Sequence, residues 1–471
     1  MSYQVVWFKR DLRISDHRPL LEASQRGKVL PLYIIEPELL AAPDFDPSHF
    51  TFVRASLVEL DRQLQRLGQG LIVRVGDPVE ILRHLAVAHL WSHEETGNWL
   101  SYQRDRRVRK WAQETNTPFT ELPASGVVRR LKSRDGWSRT WEDRMAQPIV
   151  EAPLALQSSI ASTFIPTAKD LGIGPDSRQL AQQGGESNAF DTLDTFLSAR
   201  GVRYNKEMSS PITAETSCSR LSTYLAYGNL STRQVLQATR RRIHMLDEHE
   251  PKSWRMALRA FDARLHWRCH FMQKLEDDPR IEFENFSRAY DGLREPHWNQ
   301  AWFEAWQTGN TGYPFIDACM KMLEQTGWIN FRMRAMLVSF ASYHLWLHWR
   351  MPSLHLARLF VDYEPGIHYS QFQMQSGTTG INTLRMYSPI KQQQDQDPTG
   401  TFVKHWLPDY DPATYSTPIV DHKEAIALAR ARIGAVRKQT ATRIEARQVM
   451  KKHGSRKRPP KSKQDAQQML F

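Results

Sequence analysis

Between Tyr3 and Leu122, short and almost uninterrupted apolar runs alternate with stretches of helical periodicity. Val5-Val6-Trp7-Phe8, Val29–Ile35, Leu71–Val75, Leu90-Trp91 and Phe119–Leu122 read as strands. A strand that is apolar at every position has no solvent face. Such strands predict a parallel sheet covered by helices on both sides. Among the intervening helices is Pro78–Ala86, with Asp77 as N-cap and Pro78 in the first turn. Ser125–Gly185 is rich in Ser, Pro, Gly and Gln and reads as a connector. From Phe190 to Tyr410 the pattern is helical and Trp-rich, with almost no strand signal. A helix is predicted over His422–Lys451, followed by a basic tail. The expected architecture is an α/β N-terminal domain (1–130) with a doubly wound parallel sheet, a connector (131–189), a larger all-α domain (190–420) and a C-terminal helix and tail (421–471). No internal repeat is visible.

Composition narrows the classes. No apolar run reaches the ~18 residues that span a bilayer. The longest, Ala335–Trp349, carries His344 and His348 between Arg334 and Arg350 and reads as a buried helix. The N-terminus enters a strand pattern directly, with no secretory signal. Cys218, Cys269 and Cys319 are too few and too scattered for a disulfide framework, a zinc site or an all-cysteine iron–sulfur cluster. A reducing, cytoplasmic setting is expected, and no metal site. Neither G-x-G-x-x-G after the first strand nor G-x-x-x-x-G-K-[ST] is present. The formal net charge is +12, of which seven positives lie in Lys451–Lys463, leaving +5 on the rest. Such a tail is either a phosphate-binding arm or a solvated extension, with equal weight on composition.

The polar residues hardest to place lie in the helical half. Arg332 and Arg334 sit within a strongly apolar stretch and require carboxylate or phosphate partners if buried. Asp317, Asp362 and Glu364 are the nearby acids. An Arg–Asp pair between aromatic walls suits a large planar cofactor, although a structural ion pair explains the same residues.

Two sets of motifs then converge. The N-terminal one is Val6-Trp7-Phe8-Lys9-Arg10-Asp11-Leu12-Arg13-Ile14-Ser15-Asp16. The second runs through Thr326-Gly327-Trp328-Ile329-Asn330-Phe331-Arg332-Met333-Arg334, Asp362-x-Glu364, His368, Phe372-Gln373-Met374, Arg385-Met386-Tyr387-Ser388-Pro389 and Asp397-Pro398-x-Gly400. Ser219–Leu225, Leu265-His266-Trp267-Arg268 and Thr311-Gly312-Tyr313-Pro314 fall in order between them. Over residues 1–425 the chain resembles the DNA photolyase/cryptochrome family.

The resemblance implies FAD bound in the helical domain, excited by blue light. In photolyases the electron then goes to a pyrimidine lesion flipped out of DNA. In cryptochromes the excitation serves signalling, through a protein partner. The α/β half often carries a second antenna pigment of folate or deazaflavin type, here unassigned. Carried over residue by residue, Ser219 and Ser222 match the positions holding the FAD phosphates, with Cys218 in place of a Thr. Tyr204 matches a phosphate-contacting Tyr. Arg268 and Arg334 match arginines near the flavin, Asp362 is expected to pair with Arg334, and Glu364 replaces a second Asp. His368 stands where the family faces flavin N5, and a histidine there can hold or give a proton near neutral pH.

Departures bear on function. In the family's tryptophan relay Trp349 matches the middle position and Trp298 the outer one, but the inner position is Phe372. Phe is much harder to oxidise than Trp or Tyr, so photoreduction is expected to be slow or to run through Tyr369 or another Trp. Trp267 is retained where a thymine dimer stacks, while Arg264 replaces the dimer-contacting Glu. Phe331, Ala335 and Met374 also alter the lesion pocket. Two readings follow. One is a divergent photolyase that repairs pyrimidine lesions, with DNA against Arg264, Trp267 and the tail. The other is a cryptochrome-type photoreceptor that binds FAD without repair.

Overall fold

The computed structural model describes residues 2–157, 160–178 and 180–454. Strands β1 (Tyr3–Phe8), β2 (Val29–Ile35), β3 (Ile72–Val75), β4 (Val87–His93) and β5 (Phe119–Leu122) form one five-stranded sheet in the order β3-β2-β1-β4-β5. Every pairing is parallel, with Val5 opposite Leu30 and Leu90. The apolar runs are explained by the central place of β1. Val5 and Trp7 pack with Leu30, Leu32, Leu90 and Trp111. Val6 and Phe8 point the other way, into a core that continues through Phe52 and Leu236 to Phe261 in the helical half. Alternate residues of one strand therefore serve two cores. Asp77 caps its helix by accepting from Val79 and Glu80 N–H. That helix ends at Arg83, three residues short of the expected Ala86, because β4 starts at Val87.

The connector is more structured than its composition suggests. It contains a helix, Trp137–Ala146, held by the buried Trp141. It then runs back along the sheet edge, where Thr163 N–H donates to Leu71 O at 3.2 Å and Val73 N–H donates to Thr163 Oγ1 at 2.7 Å. The edge strand β3 is thereby covered rather than left open for pairing.

The helical half departs from expectation in two places. Ala335–Trp349 is not a continuous helix. A helix over Phe331–Ser339 passes into a π turn at Phe340–His344, and the chain turns before Arg350–Leu359. Trp346 takes a left-handed φ of 52° there. Its ring has the Arg294 guanidinium at 4.6 Å and that of Arg432 at 4.9 Å, contacts that fix the turn from outside the segment. Likewise His422–Lys451 is two helices, His422–Lys438 and Thr440–His453, divided at the extended Gln439. The second turns back so that Glu445 accepts from Ala289 N–H and Lys452 pairs with Asp278 at 2.7 Å. The tail beyond Gly454 lies outside the described residues.

The two halves are joined by residues of the N-terminal motif. Arg10 donates to Ala226 O at 2.8 Å and to Tyr363 O at 2.6 Å, and Arg13 donates to Gly228 O at 2.9 Å. Gly228 has φ +70°, and a Cβ on it would lie 2.3 Å from Arg10 O. Among the described residues no helix is long and apolar enough to cross a membrane.

Candidate functional site

The long helix Ser253–Asp277 is the backbone of the site. Its residues Phe261, Arg264, Trp267, Arg268, Phe271 and Lys274 recur at intervals of three and four, which puts them on neighbouring rows of one surface. They face a cavity of about 550 Å³. The opposite wall is built from the Phe331–Ser339 and Pro365–Ser376 helices and the loop between Phe360 and Glu364.

The residues singled out for FAD converge on this cavity. Tyr204, Ser219, Ser222, Arg268, Arg334, Asp362, Glu364 and His368 all line it. Arg334 grips Asp362 with two parallel bonds, Nη1 to Oδ1 and Nη2 to Oδ2, each 2.9 Å. Its Nε also donates to Ile329 O at 2.7 Å, so all three nitrogens of the guanidinium are fixed. The Phe360 ring lies 4.1 Å from that guanidinium. Arg268 bonds Glu364 at 2.8 Å and Leu225 O at 2.9 Å. Two arginines are thus satisfied by two carboxylates from one short loop, a charge-assisted arrangement that keeps its geometry in a dry site. Asp317 takes no part. It accepts from Thr311, Gly312 and Tyr415 in a separate, buried turn.

At the Ser219 end, Arg220 has a left-handed φ of 60° and lies 3.9 Å from the Trp328 ring centre. Arg200 bonds the carbonyls of Cys218 and Ser219 from behind. Ser222 opens a short helix whose first N–H groups have no intrahelical acceptor. The cavity also receives the buried, unpartnered Asn330 Oδ1, Gln371 Oε1 and both amide atoms of Gln375. Unpartnered polar atoms beside an apolar wall are what a large ligand with its own hydrogen-bonding edge would satisfy. The residues present fit FAD.

His368 differs from expectation in its chemistry. Its Nε2 faces Ser353 O at 2.8 Å. A carbonyl accepts only, so Nε2 carries the hydrogen. Burial pushes the imidazole down to about 4. At neutral pH the ring is therefore uncharged and Nδ1 is an acceptor. The expectation of a proton donor at this position gives way to that of a hydrogen-bond acceptor.

Trp267, Arg264 and Phe372 line the same cavity. Arg264 makes a 3.9 Å contact to Met208 Sδ and sits beside the buried Tyr204. Trp349 and Phe372 share one buried cluster, and Trp298 packs on its edge through Phe303. Trp349 is fully buried, bonds Asn285 at 2.8 Å and has Tyr369 as ring neighbour at 6.4 Å. Trp298 is 37% exposed and packs on Phe303. Among the described residues no ring contact joins Trp298 to Trp349. Tyr369 instead meets His368 at 5.4 Å and bonds the Tyr363 hydroxyl at 3.0 Å. Lys274, Gln375 and Tyr363 line the cavity without having been singled out. Helical spacing from Trp267 was a signal for Lys274; nothing local marked the other two.

A second, smaller cavity of about 180 Å³ lies at the carboxyl ends of β1 and β2, against Tyr33, Glu36, Arg104 and Tyr363. Burial lifts Glu36 to about 7 although Arg104 bonds it at 2.8 Å.

Comparison with known proteins agrees with this architecture. Residues 4–135 match the family described as DNA photolyase, and residues 261–413 match the FAD binding domain of DNA photolyase. A deoxyribodipyrimidine photo-lyase of Thermus thermophilus is 30% identical over 442 residues, covering 90% of this chain and 97% of that protein. The chain belongs to the photolyase/cryptochrome family. Within the family, a cryptochrome DASH of Gloeobacter violaceus is 27% identical over 436 residues, 86% of this chain and 85% of that protein. The crystal structure of an archaeal photolyase from Sulfolobus tokodaii with two FAD molecules superposes with a TM-score of 0.76 at 25% identity, over 92% of this chain and 99% of that one. Similar proteins thus carry both names, photolyase and cryptochrome.

Proposed function

We propose that this family member is a blue-light flavoenzyme that repairs a pyrimidine lesion in DNA. The observation that carries the reading is the single cavity. It places the Arg334–Asp362 and Arg268–Glu364 pairs, the Ser219–Ser222 turn and His368 around one volume, together with Trp267 and Arg264. FAD bound there supplies light-driven one-electron chemistry. Ser219 and Ser222 hold its phosphates, aided by Tyr204. Arg334, Asp362, Arg268 and Glu364 fix the ring system by paired charges that cancel locally. His368, with its Nε2–H committed to Ser353 O, would present Nδ1 as an acceptor to the ring system. Trp267 offers its face to a base swung out of the strand, and Arg264 offers a cation where an acid would repel a phosphate. DNA is the proposed partner. The cavity at the ends of β1 and β2 is the proposed seat of a second pigment of folate or deazaflavin type.

Phe372 at the inner relay position favours a second reading, a photoreceptor without repair. The deciding experiment uses chemically reduced, FAD-loaded protein under blue light with defined cyclobutane and (6-4) lesions in single- and double-stranded oligonucleotides. Repair of either lesion supports the enzyme reading and assigns its substrate. No repair with reduced flavin present turns the reading to the photoreceptor.

A further inference from the structure

Trp267, Phe271 and Lys274 follow one another along a single helical face, at spacings of four and three residues, and all three line the cavity. Phe271 stacks on Trp267 with centroids 5.7 Å apart and planes at 28°. The Lys274 ammonium lies 5.0 Å from the Phe271 ring centre and 5.8 Å from that of Phe286. Lys274 is only 7% exposed. Among the described residues no carboxylate pairs with it.

The acids at this end of the helix are engaged elsewhere. Asp277 serves Arg134 and Gln273, and Asp278 serves Lys452 and Arg280. The other charged or titratable neighbours are Arg134, His270 and His453. Arg134 is a cation, and burial holds both imidazoles below their ordinary range. Lys274 thus faces aromatic rings, a like charge, neutral imidazoles and the cavity. Burial, with Arg134 in support, lowers its ammonium to about 7. A buried cation lacking a counter-ion is destabilising until an anion arrives.

We propose that Lys274 is the seat of an anionic group of the cavity's substrate, a backbone phosphate of a nucleic-acid strand whose extruded base stacks on Trp267. The proposal rests on the substrate reading given above. It assigns the phosphate to the strand rather than to FAD, whose phosphates have their seat at Ser219 and Ser222. The aromatic pair takes the base and the ammonium takes the charge, the combination that single-stranded nucleic acids require.

The test measures binding of a fluorescent single-stranded oligothymidylate carrying one dimer to FAD-loaded wild type, Lys274→Met and Lys274→Arg. Flavin absorbance and thermal unfolding are recorded for each. Removing an uncompensated buried charge leaves Lys274→Met folded. Its affinity is expected to fall roughly ten-fold below pH 7, with the salt slope smaller by about 0.7. Because the anion raises the lysine's affinity for its proton, wild-type binding is level below about pH 7 and weakens above it. Lys274→Arg, cationic throughout, binds with a flat profile in this range. Unchanged affinity, slope and pH profile in Lys274→Met overturn the proposal, as does loss of flavin in place of loss of oligonucleotide binding. If wild type binds no oligonucleotide, the substrate reading fails, and pyrophosphate titration of the FAD-loaded protein decides the anion seat alone. Binding by wild type but not by Lys274→Met supports the seat, and no binding by wild type ends it.

Discussion

Asp362 is the residue on which the cavity's charge balance turns. It neutralises Arg334 through two bonds while Glu364, two residues on, neutralises Arg268. Asp362→Asn leaves Arg334 with at most one good acceptor there, at a cost of about 2–3 kcal/mol for a charged hydrogen bond. The expected outcome is a lower unfolding temperature and a lower flavin-to-protein absorbance ratio in the purified variant. His368 gives a prediction in pH. Its pKa is about 4 in the folded chain, below the ~6.5 of an unfolded one. Below ~6.5 the unfolded state takes up a proton that the folded ring refuses. His368 therefore costs no stability above ~6.5, and stability is lost as pH falls from there towards 4, by up to roughly 3 kcal/mol. Denaturant unfolding across that window should show a shallower acid loss in His368→Asn than in wild type, and equal slopes would contradict the neutral ring. The Arg334–Asp362 pairing was legible because these residue types are costly to bury alone. Arg334 needed an acid, and Asp362 was within reach of its motif. The tautomer of His368 was not legible, because Ser353 O comes from a different helix.

Elements were legible where one face or one cap defines them. The β1 run and the Asp77 cap are local facts, since burial on both faces and a carboxylate three residues from a donor are written in consecutive positions. The two broken helices were not legible. Ala335–Trp349 is apolar enough to be a helix, and it is residues far away on either side in the chain, Arg294 and Arg432 against the Trp346 ring and Tyr290 and Ile433 in its cluster, that pack around the left-handed turn. Gly327 shows the converse case of a local residue with a distant reason. It ends the Pro314–Thr326 helix at φ +67°, and a Cβ there would lie 2.2 Å from Val361 Cγ2, beside the loop that carries Asp362. Gly327→Ala is expected to destabilise by more than the ~1 kcal/mol of backbone strain alone, because Val361 must also shift. Thermal unfolding checks the loss. Partial release of flavin at room temperature would show that the shift reaches Asp362.

At the scale of the molecule, the N-terminal motif and the flavin-type site prove to be one construction. Arg10 holds the carbonyl of Tyr363, which lies between Asp362 and Glu364. Arg10→Ala removes bonds to Ala226 O and Tyr363 O, and a loss of about 2–3 kcal/mol is expected with weaker flavin retention. Intact flavin content and unchanged unfolding in that variant would show that the interface does not position the loop. The relay expected from the family resemblance, with Phe372 at its inner position, also belongs to this scale. Phe372→Trp places an oxidisable ring at the inner position, 4.8 Å from His368 in the parent ring geometry. Faster blue-light reduction of the flavin in that variant, followed by transient absorption, is the expected result. Consecutive residues were enough to specify the parallel sheet and the helical half, because burial and capping act over short stretches; the residues expected to hold FAD came from the order of motifs that carries the family resemblance. Other features took shape only in three dimensions: that Glu364 meets Arg268, where the long helices break, how the connector closes the sheet edge, and that Lys274 finds no carboxylate among the described residues. Each of these depends on groups brought together from distant parts of the chain, and pairing at such separations leaves no periodicity for a sequence to display.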